Sequence, residues 1–286
     1  MRFFLILIFY IINIQSYSLP FTIKSETNIS DIYSHIQIKK IIEPFTLHQA
    51  TFDTTEYTNI DTNIIINGFR KSSYLLKISI ENSTTKHIQL FFSFLNCSIH
   101  EIEFIESYKN EIFQNQLVGT KFPFNNKNLE DHNFTFELNI PSNETRDFFF
   151  RINNYGDAFY IPFTINTLND FHNQNLNSVL FISFFFGIII FAFILNVILY
   201  INFKEKIYIS ISLYLLVISL YLVTLDGISF KYFWPTSSWL AIHSAAILFG
   251  LINILLNFIT RLFYYQKDVY NRFAKYLFKT NIVIIA

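Results

Sequence analysis

Between Val179 and Phe203 the chain carries no charged residue and is apolar almost throughout, reading VLFISFFFGIIIFAFILNVILYINF. As an α-helix this run extends about 37 Å at a rise of ~1.5 Å per residue. That exceeds the ~30 Å hydrocarbon core of a bilayer. Hydrocarbon offers no water to backbone N–H and C=O groups, so a helix that satisfies them internally is the local structure such a run can hold. Two comparable stretches follow, Ile207–Leu225 and Trp239–Phe258, and a further apolar start at Asn281 runs to Ala286. The sequence therefore predicts an α-helical transmembrane bundle over residues 178–286, with three complete helices and the start of a fourth. The stop at Ala286 reads as the truncated form of a longer plan.

Composition supports the division. Of the 286 residues, 52% are hydrophobic and 15% charged, too apolar for a wholly water-soluble domain, and the formal net charge is zero. A nucleic-acid partner would require a basic stripe, and none is present. Cys97 is the single cysteine, which excludes an internal disulfide and a zinc-finger type of metal site. Arg2, the apolar run Phe3–Ile14 and the small residues of Ser16-Tyr17-Ser18 follow the order of a secretory signal. Residues 1–18 are accordingly expected to be a cleaved signal peptide, leaving residues 19–177 outside the cytoplasm.

Loop charges agree with that orientation. Lys204 and Lys206 follow the first helix, and Arg261, Lys267, Arg272, Lys275 and Lys279 follow the third, whereas Asp226–Ser238 carries only Asp226 and Lys231. Positive charge in short loops marks the cytoplasmic side. The first helix then runs inward, the second returns, and the third runs inward again.

Between residues 63 and 166 the hydrophobic period is two. Tyr74, Leu76, Ile78 and Ile80 share one face of a strand while Lys77 and Ser79 take the other, and Ile88–Leu95, Phe134–Ile140 and Phe159–Ile165 alternate in the same way. A weak helical stretch at Ile99–Phe113 is the one competing signal. Turn-rich segments such as Glu81-Asn82-Ser83 and Pro141-Ser142-Asn143 separate the strands, so antiparallel sheets packed face to face are expected. The fold class is an all-β sandwich followed by the membrane helices. Phe92, Phe94, Phe134, Phe136, Phe148 and Phe150 are its expected core. Pro162 inside an alternating run predicts an edge strand or a bulge there.

The order of parts also resembles a known family. The helical region opening GIIIFAFILNVILYINFKEKIYISISLYLL is similar to the bacterial seven-transmembrane receptors with diverse intracellular signalling modules. The segment SSYLLKISIENSTTKHIQLFFSF resembles that family's strand–Asn–turn–strand opening, with Tyr74 where a Trp is more usual, and PSNETRDFFFRINNYGDAFYIPFTI resembles its closing strands, with Arg151 in the place of a strand arginine. Gly187, Asn196 and Tyr200 fit its first membrane helix, and Leu225-Asp226-Gly227 and Tyr232-Phe233-Trp234-Pro235 fit the segment between the second and third. The resemblance implies a jelly-roll-like exported sandwich akin to carbohydrate-binding modules, a location in the bacterial inner membrane, and a kinase, cyclase or phosphatase as output. It also implies a small carbohydrate-like ligand, with a homodimer or a downstream signalling module as further partners beside the lipid bilayer.

No arrangement for catalysis stands out, and neither a metal nor a cofactor is expected. The histidines His35, His48, His87, His100, His132, His172 and His243 show no ligand spacing, and the six glycines frame no nucleophile elbow or phosphate loop. Glu101 and Glu103 beside His100 read as a solvated strand edge. For ligand binding the candidates are Phe91, Phe149, Arg151 and Tyr155, which fall on the strand face opposite the core or in a loop. In the membrane, Asn196, Asn253 and Asn257 are expected to make polar contacts between helices, worth about 0.6–2 kcal/mol each.

Overall fold

A computed structural model describes residues 20–24, 30–41, 57–60, 63–69, 73–109, 111–154 and 158–266. The expected signal peptide, Tyr155 and the apolar start at Asn281 lie outside these residues. The chain divides into two units, one ending at Leu168 and the other beginning at Asn169.

The first unit is a β-sandwich. Its strands are β1 (Phe21–Ile23), β2 (Gln37–Ile41), β3 (Thr58–Asn59), β4 (Ile64–Phe69), β5 (Ser73–Asn82), β6 (Ile88–Phe94), β7 (Glu101–Tyr108), β8 (Glu111–Val118), β9 (Phe134–Ile140), β10 (Thr145–Asn153) and β11 (Ala158–Thr167). The larger sheet runs β3-β2-β5-β10-β7-β8, with β1 pairing in parallel along the second half of β5; the smaller sheet runs β4-β11-β6-β9. Every other pairing is antiparallel. Within Ile99–Phe113, where a helical period competed, lie β7 and the start of β8, because Ile102 and Phe104 are needed on the inner face of β7.

The alternation read from the sequence is the packing. Phe92, Phe94, Phe134, Phe136, Phe148 and Phe150, together with Phe104 and Phe163, lie between the sheets at 2% exposure or less. Their rings interlock: Phe150 lies 4.5 Å from Phe92, 5.0 Å from Phe104 and 5.4 Å from Phe136 between ring centroids. Each such pair adds about 0.5–1.5 kcal/mol to the burial of its area.

Strand direction gives the sandwich two ends. At the exit end, where β11 leaves, lie the β5–β6 turn and the β9–β10 turn, joined by Asn82. This side chain is fully buried, and its amide donates to the carbonyls of Lys86 (2.8 Å), Ile140 (3.0 Å) and Pro141 (3.1 Å) while its oxygen accepts from the N–H and hydroxyl of Thr84. At the opposite end β8 turns back through Gly119, whose φ of +140° and whose approach to the His100 carbonyl leave no room for a Cβ.

Pro162 sits where β11 changes neighbours: residues 158–162 pair with β4, and residues 163–167 with β6. A residue without an N–H fits that handover, and its carbonyl still accepts from Leu95 N–H at 2.9 Å. The register shift lies just before Tyr160, two residues earlier.

The second unit is helical: α1 (Leu168–Phe203), α2 (Lys206–Leu225), a short α3 (Ile228–Tyr232) and α4 (Ser238–Gln266). Three of these are long and apolar enough to cross a membrane. Helix α1 starts before the apolar run, because Leu168–Asn177 already wind as helix, adding about 15 Å of polar helix. None of its side chains is buried, and Phe181, Phe184 and Phe191 expose about 70% of their surface. Hydrocarbon or another helix is the natural cover for such a surface. Helix α2 packs on α4, with Tyr221 and Phe249 6.1 Å apart, and serines dominate the buried positions: Ser210, Ser212 and Ser244. Small residues of this kind let membrane helices approach closely. Gly227, at φ +74°, ends α2 and starts α3.

Candidate functional site

A receptor domain must offer a surface its ligand can reach, so the outer faces of the two sheets decide the matter. On the larger sheet, Ile41, Leu75, Ile105 and Phe149 form a second, smaller cluster on the outside, all at 3% exposure or less, with Tyr57 and Ile112 packed against it. Lys77 adds its ammonium 5.5 Å from the Phe149 ring. Phe149 does lie opposite the main core, as its parity predicts. The face it occupies is covered, so the ring offers nothing to stack against. Phe91, on the outer face of the smaller sheet, is likewise 97% buried. Alternation sorts side chains into two faces, and whether the second face meets water is a separate question that non-local packing answers.

Arg151 is committed to neighbours. Its guanidinium donates to Glu103 at 2.8 Å and to Glu101 at 2.6 Å, and Lys121 lies 3.7 Å from Glu101. The expected solvated edge at His100, Glu101 and Glu103 is therefore absent. β7 has β10 on one side and β8 on the other, and Arg151 pairs directly across from Glu103. His100 is buried, with its N–H donating to Asn154.

Among the described residues, two carboxylates have shifted affinities for protons. Glu106 sits 5% exposed at the exit end, where burial pushes its carboxyl above the ordinary 4.5 and the Arg146 guanidinium, 3.2 Å away, offsets only part of that rise. Arg146 is itself buried, bonded also to Glu144 at 2.7 Å, and held between the rings of Tyr108 and Phe113. For Asp131, burial is the largest single influence and acts upward. Bonds from His132 and Thr135 and the charges of His132 and Lys127 together outweigh it and hold the carboxyl below 3.8. Lys127 in turn donates to the carbonyls of Asp131, His132 and Asn133, which fastens the loop before β9. Cys97, half-buried, lies 3.5 Å from the Asn133 side-chain oxygen. Among the described residues no group of His, Cys, Asp and Glu could hold a metal ion.

In the membrane segments, Asn196 donates to the Ala192 carbonyl, Asn253 to Phe249 and Asn257 to Asn253, each at 2.8 Å. Each amide satisfies one donor inside its own helix, four residues back, and carries a second donor and an acceptor beyond that bond. A short polar side chain reaches that carbonyl without leaving its rotamer well.

Among the exposed aromatics that sequence reasoning passed over, together with Phe113 of β8 at 69% exposure, is Tyr160. It lies on the outer face of β11 at 49% exposure, beside Ile66 at 67%. Its parity in the run Phe159–Ile165 was legible; its exposure was not.

Residues 28–167 match the family described as 7TMR-DISM extracellular 2, and residues 178–286 match 7TM diverse intracellular signalling. No curated protein matches the chain. Among solved structures, a beta-glucosidase from Kluyveromyces marxianus in complex with glucose is 8% identical over 50% of this chain and 17% of its own, at a TM-score of 0.27. TmCBM61 in complex with beta-1,4-galactotriose is 11% identical over 51% of this chain and 97% of its own, at a TM-score of 0.26. Likenesses of that size carry no functional argument.

Proposed function

We propose, from the premise that the chain belongs to the seven-transmembrane receptors with diverse intracellular signalling, that it is a sensory receptor of the bacterial inner membrane. In this reading the exported sandwich binds a small, carbohydrate-like ligand and passes the event to the helices. The chain is a membrane protein with an extracytoplasmic domain, and both matched families are receptor parts.

The observation that carries the proposal is the junction. Thr167 is the last strand residue and Leu168 the first helical one, so no linker residue intervenes in the sequence between the sensor's last strand and α1. β11 is also central in its sheet, paired with β4 and β6, so a displacement of that sheet reaches the helix through covalent geometry. A ligand shifts an equilibrium only by its differential affinity for two states, and a slack linker would dissipate that difference.

The test uses a disulfide between α2 and α4. In a Cys97→Ser background, Tyr221→Cys with Phe249→Cys places two thiols at a contact whose rings are 6.1 Å apart. A receptor changes its rate of disulfide formation when oligosaccharide saturates the exported domain. Binding at saturation with an unchanged rate would leave a membrane-tethered binding module without signalling, and the proposal would be wrong.

A further inference from the structure

We infer that the outer face of β4 and β11 is a saccharide-binding platform centred on Tyr160; this rests on the sensory reading above and locates its ligand. Three observations meet there. The first is exposure: Ile66 is 67% exposed, Tyr160 49% and Leu95 37%. They are neighbours, since Tyr160 pairs with Ile66, Pro162 pairs with Ile64, and Leu95 N–H donates to the Pro162 carbonyl. At strand spacings of about 4.8 Å and same-face repeats of about 6.6 Å, the patch has the footprint of one or two sugar rings.

The second observation is charge. Neither β4 (Ile64–Phe69) nor β11 (Ala158–Thr167) contains a charged residue. An ionised partner such as a phosphate headgroup or an acidic peptide would find no counter-charge on these strands. The uncharged molecule that fits presents one apolar face with hydroxyls around its rim. The phenol of Tyr160 and the Thr164 hydroxyl, two steps along the same face beyond Pro162, supply polar groups beside the apolar surface. A pyranose has that division: C–H groups on one face, hydroxyls at the edge.

The third is preorganisation. The pairing of β11 with β4 skips Asn67 at the step from Phe159 to Tyr160, an irregularity that interrupts the ladder beside the ring. Pro162 fixes the backbone two residues on, and the Asn96 amide donates to the Tyr160 carbonyl at 2.8 Å. The ring is therefore held from a rigid strand, so little entropy is lost when a ligand stacks on it.

The experiment is saturation-transfer NMR on the full chain in detergent, with beta-1,4-galactotriose, cellotriose, maltotriose and xylotriose as probes. At least one trisaccharide is expected to bind, with contact strongest at its C–H face. Tyr160→Ala should then weaken binding by about tenfold or more, Ile66→Gln by less, and Tyr160→Phe should keep most of it. Near-ultraviolet circular dichroism confirms folding, which half-exposed Tyr160 and exposed Ile66 do not control. If a trisaccharide binds and Tyr160→Ala leaves its affinity unchanged, the platform is refuted while the carbohydrate reading stands. If no trisaccharide binds the wild type, both fall. A change in oligomeric state alone on Tyr160→Ala would assign the patch to a second copy and overturn the platform.

Discussion

Asn82 offers the sharpest test of how the sandwich is held together at the end where the chain departs for the helices. Its side chain is fully buried and makes contacts with five backbone or side-chain atoms, three of them carbonyls on two different turns. Asn82→Ala keeps the backbone bond to the Glu144 carbonyl and removes all the others. Counting two of these bonds as not replaced by water, at a net contribution near 1 kcal/mol each, plus about 1–3 kcal/mol for the Ile140 carbonyl left buried without this partner, gives a loss of roughly 3–5 kcal/mol. For a domain of this size that corresponds to a fall in Tm of roughly 10 °C. The assay is thermal unfolding followed by near-ultraviolet circular dichroism, which reports the packed phenylalanines. Asn139→Ala serves as comparator, because its contact with His87 is long and exposed, and a change within about 0.5 kcal/mol is expected. A cycle with Thr84→Val isolates the 2.7 Å bond between the two side chains. Should Asn82→Ala cost no more than Asn139→Ala, the claim that this amide couples the two turns is wrong.

Two further outcomes follow from buried polar groups. Burial holds the Glu106 carboxyl above 4.5, so the folded state binds this proton more tightly than the unfolded chain; its contribution to stability is complete below about 4.5 and is lost as pH rises through the folded value. Glu106→Gln should flatten the stability profile in that window, measured by urea unfolding at a series of pH values, and an unaltered slope would contradict the assignment. In α4, Asn253→Ala should cost little, within about 0.6 kcal/mol, because its amide bonds to Phe249 of the same helix; a loss near 2 kcal/mol in detergent unfolding would show that it bridges helices instead.

How much of this could be read beforehand depends on how local each cause is. The six core phenylalanines were legible because β-strand geometry places alternate residues on one face, and one buried face imposes that period on consecutive positions. The helices were legible because hydrocarbon acts on every residue of a run. Ile99–Phe113 was ambiguous since Ile102, Phe104 and Ile105 satisfy more than one period, and only the need to sit between β10 and β8 resolved it. The Arg146–Glu106–Glu144 cluster left no signal, because its members come from two strands and a turn that meet only after pairing. For Asn196 and Asn253, the residue type said that a polar group needed a partner and could not say that a carbonyl of the same helix would serve.

The sequence by itself determined a β-sandwich ahead of membrane helices, because one-sided burial and immersion in lipid both act on neighbours along the chain. Only the tertiary structure decided which outward-facing rings meet water. Phe91 and Phe149 carry the parity of surface residues and are covered, whereas Tyr160 carries the same parity and is open. What lies over a sheet is set by segments distant in sequence, and no periodicity within a strand records it.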